Sequence, residues 1–376
     1  MVLNENVDRK IIPIAGGKGG VGKSVLAVNL ALCTAIAGKK TVLVDLDLGG
    51  SNIHTLLGLK NVNPGIGNLV SGHKASVAEL VVATPWDNLF YVPGDVLVYG
   101  LGEINKTAKS RITKELLDID ADYIFIDLGG GSNFTVVDFF LISNSGLLVT
   151  TPQSTSVMNA YSFLKNYVYR FLQRAFAADK TISAYLKKIL KEQQPGSGFT
   201  VADTVAEIRK ISSDAGDKAE TFLEVLQPKL ILNKVKGLGD IAMGEGLRDL
   251  SLRNLSINLE CLGTVMNNPL VDESVDKQVP FVLEDPENVI SEEIFRISQK
   301  IVQSSQYPYM PLELDYYSDT FELAHIETEN DLAALDGSSG NPDSEQYDVD
   351  KLLELIRIQQ TRIPELQGTL RMLSSP

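Results

Sequence analysis

Gly17-Lys18-Gly19-Gly20-Val21-Gly22-Lys23-Ser24 is the stretch that decides the fold. It fits the pattern G-x-x-x-x-G-K-[ST], in which each residue type has a physical task. The glycines let the backbone curl so that successive N–H groups converge on phosphate oxygens. Lys23 brings a positive point charge to the β- and γ-phosphates, and Ser24 offers a hydroxyl to Mg²⁺. An apolar run at residues 11–15 precedes the octet, and an amphipathic stretch from about Lys23 to Ala37 follows it. A helix beginning at Lys23 would aim the positive end of its dipole at the same phosphates. The local reading is strand, phosphate-cradling loop, helix. Read alone, it implies a nucleotide with Mg²⁺.

Working outward, short apolar runs recur at residues 11–15, 41–45, 89–92, 123–127, 146–150, 229–233 and 259–265. Most lack alternation, which is the mark of strands buried on both faces. Helix-like stretches separate them. The rhythm predicts a doubly wound α/β fold with a mainly parallel sheet flanked by helices. Pro13 fits poorly inside the first strand, because it removes a ladder donor; a strand start or bulge is expected there. Residues 168–228 break the rhythm and read as two or three helices around a loop at Gln194-Pro195-Gly196-Ser197. That is a helical insertion of roughly 50 residues, longer than an ordinary connection. It reads equally as a packing elaboration and as a partner surface.

The 376 residues carry a net charge of −14, unevenly spread. Residues 312–350 hold 12 acidic side chains and no Lys or Arg, so only −2 belongs to the rest of the chain. A nearly neutral body argues against a protein that binds nucleic acid over its whole surface. Residues 1–310 read as one nucleotide-binding domain, 311–350 as an acidic linker or tail, and 351–376 as a C-terminal helical segment. In that last segment Leu352, Leu353, Ile356, Ile363, Leu366 and Leu370 recur at helical spacing, with Pro364 interrupting. Its polar face mixes Lys351, Arg357, Arg362 and Arg371 with Glu354 and Glu365, which favours docking on protein over lying on a membrane. No run of about 18 apolar residues appears, and residues 1–10 lack the apolar core of a signal peptide. The expected location is the cytoplasm, with peripheral contact at the inner face of the membrane as an alternative. Cys33 and Cys261 are far apart in apolar surroundings and read as small core residues.

The filling of the octet is more specific. Lys18 is a second lysine just after Gly17, and Lys-Gly-Gly-Val-Gly-Lys-Ser resembles the deviant Walker A loop of the MinD/ParA superfamily. The resemblance implies a nucleotide site formed by residues 17–25, ending at Val25. It also implies that Lys18 reaches across an ATP-dependent homodimer to the partner's nucleotide, by the logic of an arginine finger. Val44-Asp45-Leu46-Asp47, followed by Leu48-Gly49-Gly50-Ser51-Asn52, resembles the family's first switch. There Asp47 would orient or deprotonate the attacking water, Asn52 would help place it, and Asp45 would support the Mg²⁺ shell. Ile126-Asp127-Leu128-Gly129-Gly130-Gly131 resembles the second switch. It implies Mg²⁺ support from Asp127 and γ-phosphate sensing by Gly129 and Gly130. Leu230-Ile231-Leu232-Asn233-Lys234 resembles the strand whose asparagine contacts adenine, a role that suits a side chain able to donate and accept. At Met266 the chain departs from the proline that many relatives carry.

The similarity covers about residues 9–303, and the run at residues 45–52 is most similar to the FlhG branch of flagellar-number regulators. Two departures stand out. Residues 1–10 lack that branch's activator motif, and the acidic tail with its mixed-charge helix replaces a basic membrane helix. The resemblance implies an ATP-driven dimerisation switch in spatial regulation, of flagella, division site or cargo, acting on an unidentified protein partner. The alternatives are a partitioning ATPase that binds DNA nonspecifically, for which Lys187, Lys188 and Lys191 would contribute, and a protein like the bacterial tyrosine kinases, with Tyr307, Tyr309, Tyr316, Tyr317 and Tyr347. Iron–sulfur carriers share the loop but need cysteines placed to bridge a cluster across a dimer.

Overall fold

The computed structural model describes residues 9–47, 50–60, 64–70, 76–94, 106–192, 200–302 and 320–335. Leu48, Gly49, the loop at residues 194–197, the five tyrosines of the kinase-like reading and the helical segment at 351–376 lie outside the described residues. Eight strands form one sheet: β1 (Lys10–Gly16), β2 (Thr41–Leu46), β3 (Val82–Ala83), β4 (Leu89–Val92), β5 (Tyr123–Gly130), β6 (Leu147–Thr150), β7 (Lys229–Val235) and β8 (Glu260–Met266). Their order is β3-β4-β2-β5-β1-β6-β7-β8. All pairings are parallel except β3 with β4. The doubly wound reading holds. Two-residue β3 carries no periodic signal and was not expected.

The helices are α1 (Lys23–Ile36), α2 (Ile53–Leu56), α3 (Ile66–Val70), α4 (Lys106–Leu117), α5 (Phe134–Phe140), α6 (Ser154–Ala175), α7 (Lys180–Glu192), α8 (Val201–Ile211), α9 (Ser213–Glu224), α10 (Ile241–Leu255), α11 (Leu270–Lys277), α12 (Phe281–Glu284), α13 (Val289–Val302) and α14 (Thr320–Leu335). Side chains alternate between two apolar layers. Val42, Val44, Ile124, Ile126 and Leu148 face one that includes Ile112, Phe163 and Leu247. Ile12, Ile14, Leu43, Phe125 and Val149 face the other, with Leu26, Leu30 and Ile294. Both faces of the central strands are therefore covered, which is why their sequences lack alternation. α1 follows from an Ala- and Leu-rich run and stops where Gly38, at φ 82°, donates its N–H back to the Ala35 carbonyl.

Pro13 sits inside β1, not at its start. Its register partner is Ile126 of β5, and β6 pairs with β1 only from Ile14 onward. The proline thus falls where β1 has one neighbour, and the missing donor is tolerated. An irregularity does follow, between Ile14 and Gly16.

The helical insertion consists of the far end of α6 with α7, α8 and α9. Thr200 and Asp203 make a reciprocal capping box at the start of α8. Tyr169 meets Thr204 at 3.1 Å, and Phe171 and Phe176 pack on Phe222. These side chains join the same apolar layer as the sheet.

Residues 320–335, inside the stretch read as an acidic linker, form α14 and pack on the outer strand β8 and on α13. Phe321 and Ala324 are buried, but most of the seam is polar. Arg296 pairs with Asp331, Lys300 with Glu327, and Thr264 meets Thr328 at 2.7 Å. The Cys261 N–H on the sheet edge donates to the Thr320 hydroxyl at 3.0 Å. Two acids of this helix, Glu327 and Asp331, are spent on buried cations, while Glu322 and Glu329 are exposed.

Candidate functional site

The octet lies between β1 and α1. Gly20 and Gly22 have φ of 79° and 93°, a left-handed conformation that side chains disfavour. A Cβ on Gly17 would stand 2.2–2.5 Å from the backbone of Asn159 and Ala160 in α6, so only glycine fits there. Lys23 opens α1 and is 6 % exposed, at the base of the loop. Ser24 and Val25 follow on the first turn, half-buried. Lys18 and Gly19 are exposed at the rim, and among the described residues Lys18 has no ion-pair partner. The N-terminus of α1 and the glycine loop together form an anion cradle.

The sheet brings the acids to this loop. β2 and β5 are adjacent and in register, so that Asp45 lies opposite Asp127 at the same strand end. Both are buried. Burial first, then the neighbouring Asp45, drives the Asp127 carboxyl up to about 8, while Ser24 and Lys23 pull it back. Asp127 Oδ1 has no hydrogen-bond partner. Burial likewise raises Asp45 to about 6, against the hydrogen bonds it accepts. Asp45 Oδ1 accepts from the Asp47 N–H at 3.1 Å, and Oδ2 accepts from the Ser51 hydroxyl at 2.5 Å and the Ile53 N–H at 3.4 Å. The half-buried Asp47 lies against the second switch: a Cβ on Gly129 would be 3.0 Å from its Oδ1. Gly131 donates its N–H to the Gly16 carbonyl at 3.1 Å, and a Cβ on Gly130 would stand 3.0 Å from the Gly19 nitrogen. Asn52 is exposed at the N-cap of α2.

Asn233 is also beside the loop, in a way the sequence did not reveal. Its Nδ2 donates to the Val21 carbonyl at 2.8 Å, and its Oδ1 accepts from the Lys234 N–H at 2.9 Å. Lys234 reaches the Gly20 carbonyl at 3.3 Å. The amide thus clamps the loop, with Nδ2 facing Gly22 directly. Ser51, Gly94 and Lys234 were the participants that sequence reasoning passed over. Ser51 lay inside a quoted motif, but nothing in its spacing marks a hydrogen bond to Asp45.

The donor set suits Mg²⁺. It is all oxygen, from a hydroxyl and carboxylates, and it leaves Asp127 Oδ1 bare in a buried place. Among the described residues no three His, Cys, Asp or Glu side chains gather to hold a metal unaided. Mg²⁺ usually keeps waters and takes substrate phosphate oxygens, so such a cage is not needed. Cys33 and Cys261, the chain's two cysteines, are buried. Burial pushes the Cys33 thiol up, away from the thiolate that would ligate a cluster. Among the described residues no helix is long and apolar enough to cross a membrane.

Comparison with known proteins agrees with this geometry. Residues 7–167 match the ParA family profile, described as an NUBPL iron-transfer P-loop NTPase. The antiactivator FleN of Pseudomonas aeruginosa is 29 % identical over 158 residues, 42 % of this chain and 55 % of FleN, so the matched stretch spans about half of that relative. An uncharacterized ATP-binding protein of Methanocaldococcus jannaschii is 24 % identical over 290 residues, 76 % of this chain and 94 % of its own. The structure of the septum site-determining protein MinD from Pyrococcus horikoshii, complexed with Mg-ADP, superposes with a TM-score of 0.53 at 19 % identity, covering 78 % of this chain and 96 % of that one. The loop, the paired strand-end acids and the sheet order thus belong together: residues 7–167 match the ParA-type P-loop NTPase model, and the fold is the one seen in the MinD structures.

Proposed function

We propose that the protein is a Mg²⁺-dependent ATPase that works as an ATP-driven dimerisation switch in spatial regulation. The observation that carries the reading is the pairing of a complete phosphate cradle with two buried strand-end carboxylates, one of which has a bare oxygen. Mg²⁺, when bound, supplies positive charge to the phosphates and completes the site. Ser24 would ligate it, and Asp45 and Asp127 would support its water shell, with Asp47 beside them. Lys23 holds the β- and γ-phosphates from the base of the loop. Asp47 orients the attacking water and accepts its proton, with Asn52 at the outer side. Gly129 and Gly130 lie against Asp47 and Gly19, so a γ-phosphate seated there is felt by both switches at once. Lys18, exposed at the rim, adds charge to the neighbouring subunit's nucleotide on assembly. FleN is a curated antiactivator and MinD a septum site-determining protein, which supports a regulatory task exerted through a protein partner.

Light scattering with and without ATP, on wild type and on Asp47→Ala, tests the whole reading. The variant is expected to bind ATP, remain dimeric and release no phosphate. A monomer under saturating Mg-ATP sinks the switch.

The DNA-binding alternative has Lys187 and Lys188 exposed on α7. The adjoining helices offset it, since Arg209, Lys210 and Lys218 are each paired with acids. A DNA-shift titration at two salt concentrations separates the two readings, because phosphate neutralisation must weaken steeply with salt.

A further inference from the structure

We infer that Ser51 is a positioning residue for the first switch loop, acting through Asp45, and that Asp45 serves as that loop's anchor. This rests on the hydrolytic reading of the same site. The Asp45 carboxylate takes its three donors from the chain that follows it: the Asp47 N–H, the Ser51 hydroxyl and the Ile53 N–H. Two of these are backbone groups, which any sequence would supply. Ser51 is the one side-chain donor among them. Its hydrogen bond spans six positions and closes a loop that holds Asp47 inside, with Asn52 next to the closing residue.

The closure is shielded. Ser51 is 2 % exposed and Asp45 fully buried. Gly94 lies over both: a Cβ there would stand 2.8 Å from Ser51 Oγ and 3.0 Å from Asp45 Cγ. Water has no room to replace the hydroxyl on that side. Tyr91 of β4 is buried beside them, its phenol driven well above the ordinary range by burial and by the Asp45 charge. Losing one of three donors to a buried carboxylate weakens the loop's attachment beside Asn52. Asp47, seated against Gly129, then loses its fixed place, and a reacting group displaced by a fraction of an ångström loses rate more than affinity.

The test is Ser51→Ala in the full chain. ATP affinity, read with a fluorescent analogue, is expected within twofold of wild type, and kcat is expected to fall about tenfold, the scale of one hydrogen bond to a charged group. Asp45→Asn is expected to lower kcat as well, and the double variant to fall no further than Asp45→Asn alone, because both act through one attachment. Additive losses overturn the inference, as does full turnover in Ser51→Ala. Should Ser51→Ala fold poorly, Ser51→Cys keeps the size with a weaker donor and is expected to lose an intermediate amount. Amide hydrogen exchange at Asp47 and Ile53 without nucleotide is expected to quicken about tenfold in Ser51→Ala. Unchanged exchange overturns the anchor whether or not the protein hydrolyses ATP. A wild type that binds ATP without hydrolysing it overturns the ATPase reading and leaves the exchange result to decide the anchor.

Discussion

Among the described residues, two places bury several carboxylates together, and they are built differently. At the seam of α13 and α14, Asp331 and Glu327 each meet a resident cation, Arg296 and Lys300. Glu293, a further acid there, accepts the Met266 N–H at 2.8 Å and is driven toward its neutral form by burial and by Asp331. At the strand ends of β2 and β5, Asp45 and Asp127 face one another with Lys23 nearby, and burial again pushes them up. The seam carries its counter-charges within the fold. The strand ends are short of positive charge and are open toward the loop that would bring a nucleotide and its ion. The first arrangement holds a helix in place; the second waits for a ligand. Buried charge alone does not distinguish scaffold from site, but the source of its compensation does.

The sharpest test of this contrast is Lys18→Ala. ATP binding is expected to persist while turnover falls about 10³-fold, the range reported by removal of a cation supplied in trans. Phosphate release in that variant near wild type breaks the cross-subunit role. Arg296→Met is the counterpart at the seam. It leaves Asp331 with no cation, so chemical denaturation should show a loss of about 3 kcal/mol, while kcat per folded molecule stays within twofold. A turnover defect as large as the stability defect would erase the distinction between the two regions.

A third measurement uses pH. The Asp127 carboxyl has a folded pKa of about 8, above its ordinary 3.8. Between those values the folded state holds a proton that the unfolded state has released, so stability falls as pH rises through this window. Without nucleotide, Asp127→Asn is expected to melt higher than wild type at pH 8 and to match it near pH 4. Mg-ATP should reverse the order at pH 8, because the wild-type carboxylate is then compensated. A pH-independent difference between the two proteins would place the strain elsewhere. The smallest effect is expected from Tyr91→Phe: the buried ring is kept, the Asp45–Ser51 hydrogen bond is left in place, and turnover should stay within twofold.

Much of this was legible in the sequence, for physical reasons. The octet and the acids at strand ends announce themselves because their chemistry is local: backbone curl, a lysine, a hydroxyl, a carboxylate after an apolar run. The strands were readable because burial on both faces removes alternation. α14 was not. It is held by Arg296 and Lys300, 35 and 27 residues before the acids they meet. In sequence those acids resemble a solvated tail, and only the folded arrangement shows their partners. Pro13 looked like a strand end because the order of strand neighbours, which excuses it, is not a local property. Asn233 shows the same limit: its hydrogen bond to the Val21 carbonyl depends on how close β7 comes to the loop, which its position in sequence does not reveal.

α6 touches the loop at Gly17 through Asn159, the second switch through the Asn166 amide on the Ser132 carbonyl at 3.2 Å, α5 through Arg170 on Asp138 at 2.6 Å, and the insertion through Tyr169 on Thr204. Its 22 residues make a rod about 33 Å long. In mechanical terms it is a pointer pivoted at the glycine loop. A tilt of about 2° at the loop end would carry the far end about 1 Å, so a displacement too small to notice at the loop is enlarged at the outer surface of the insertion.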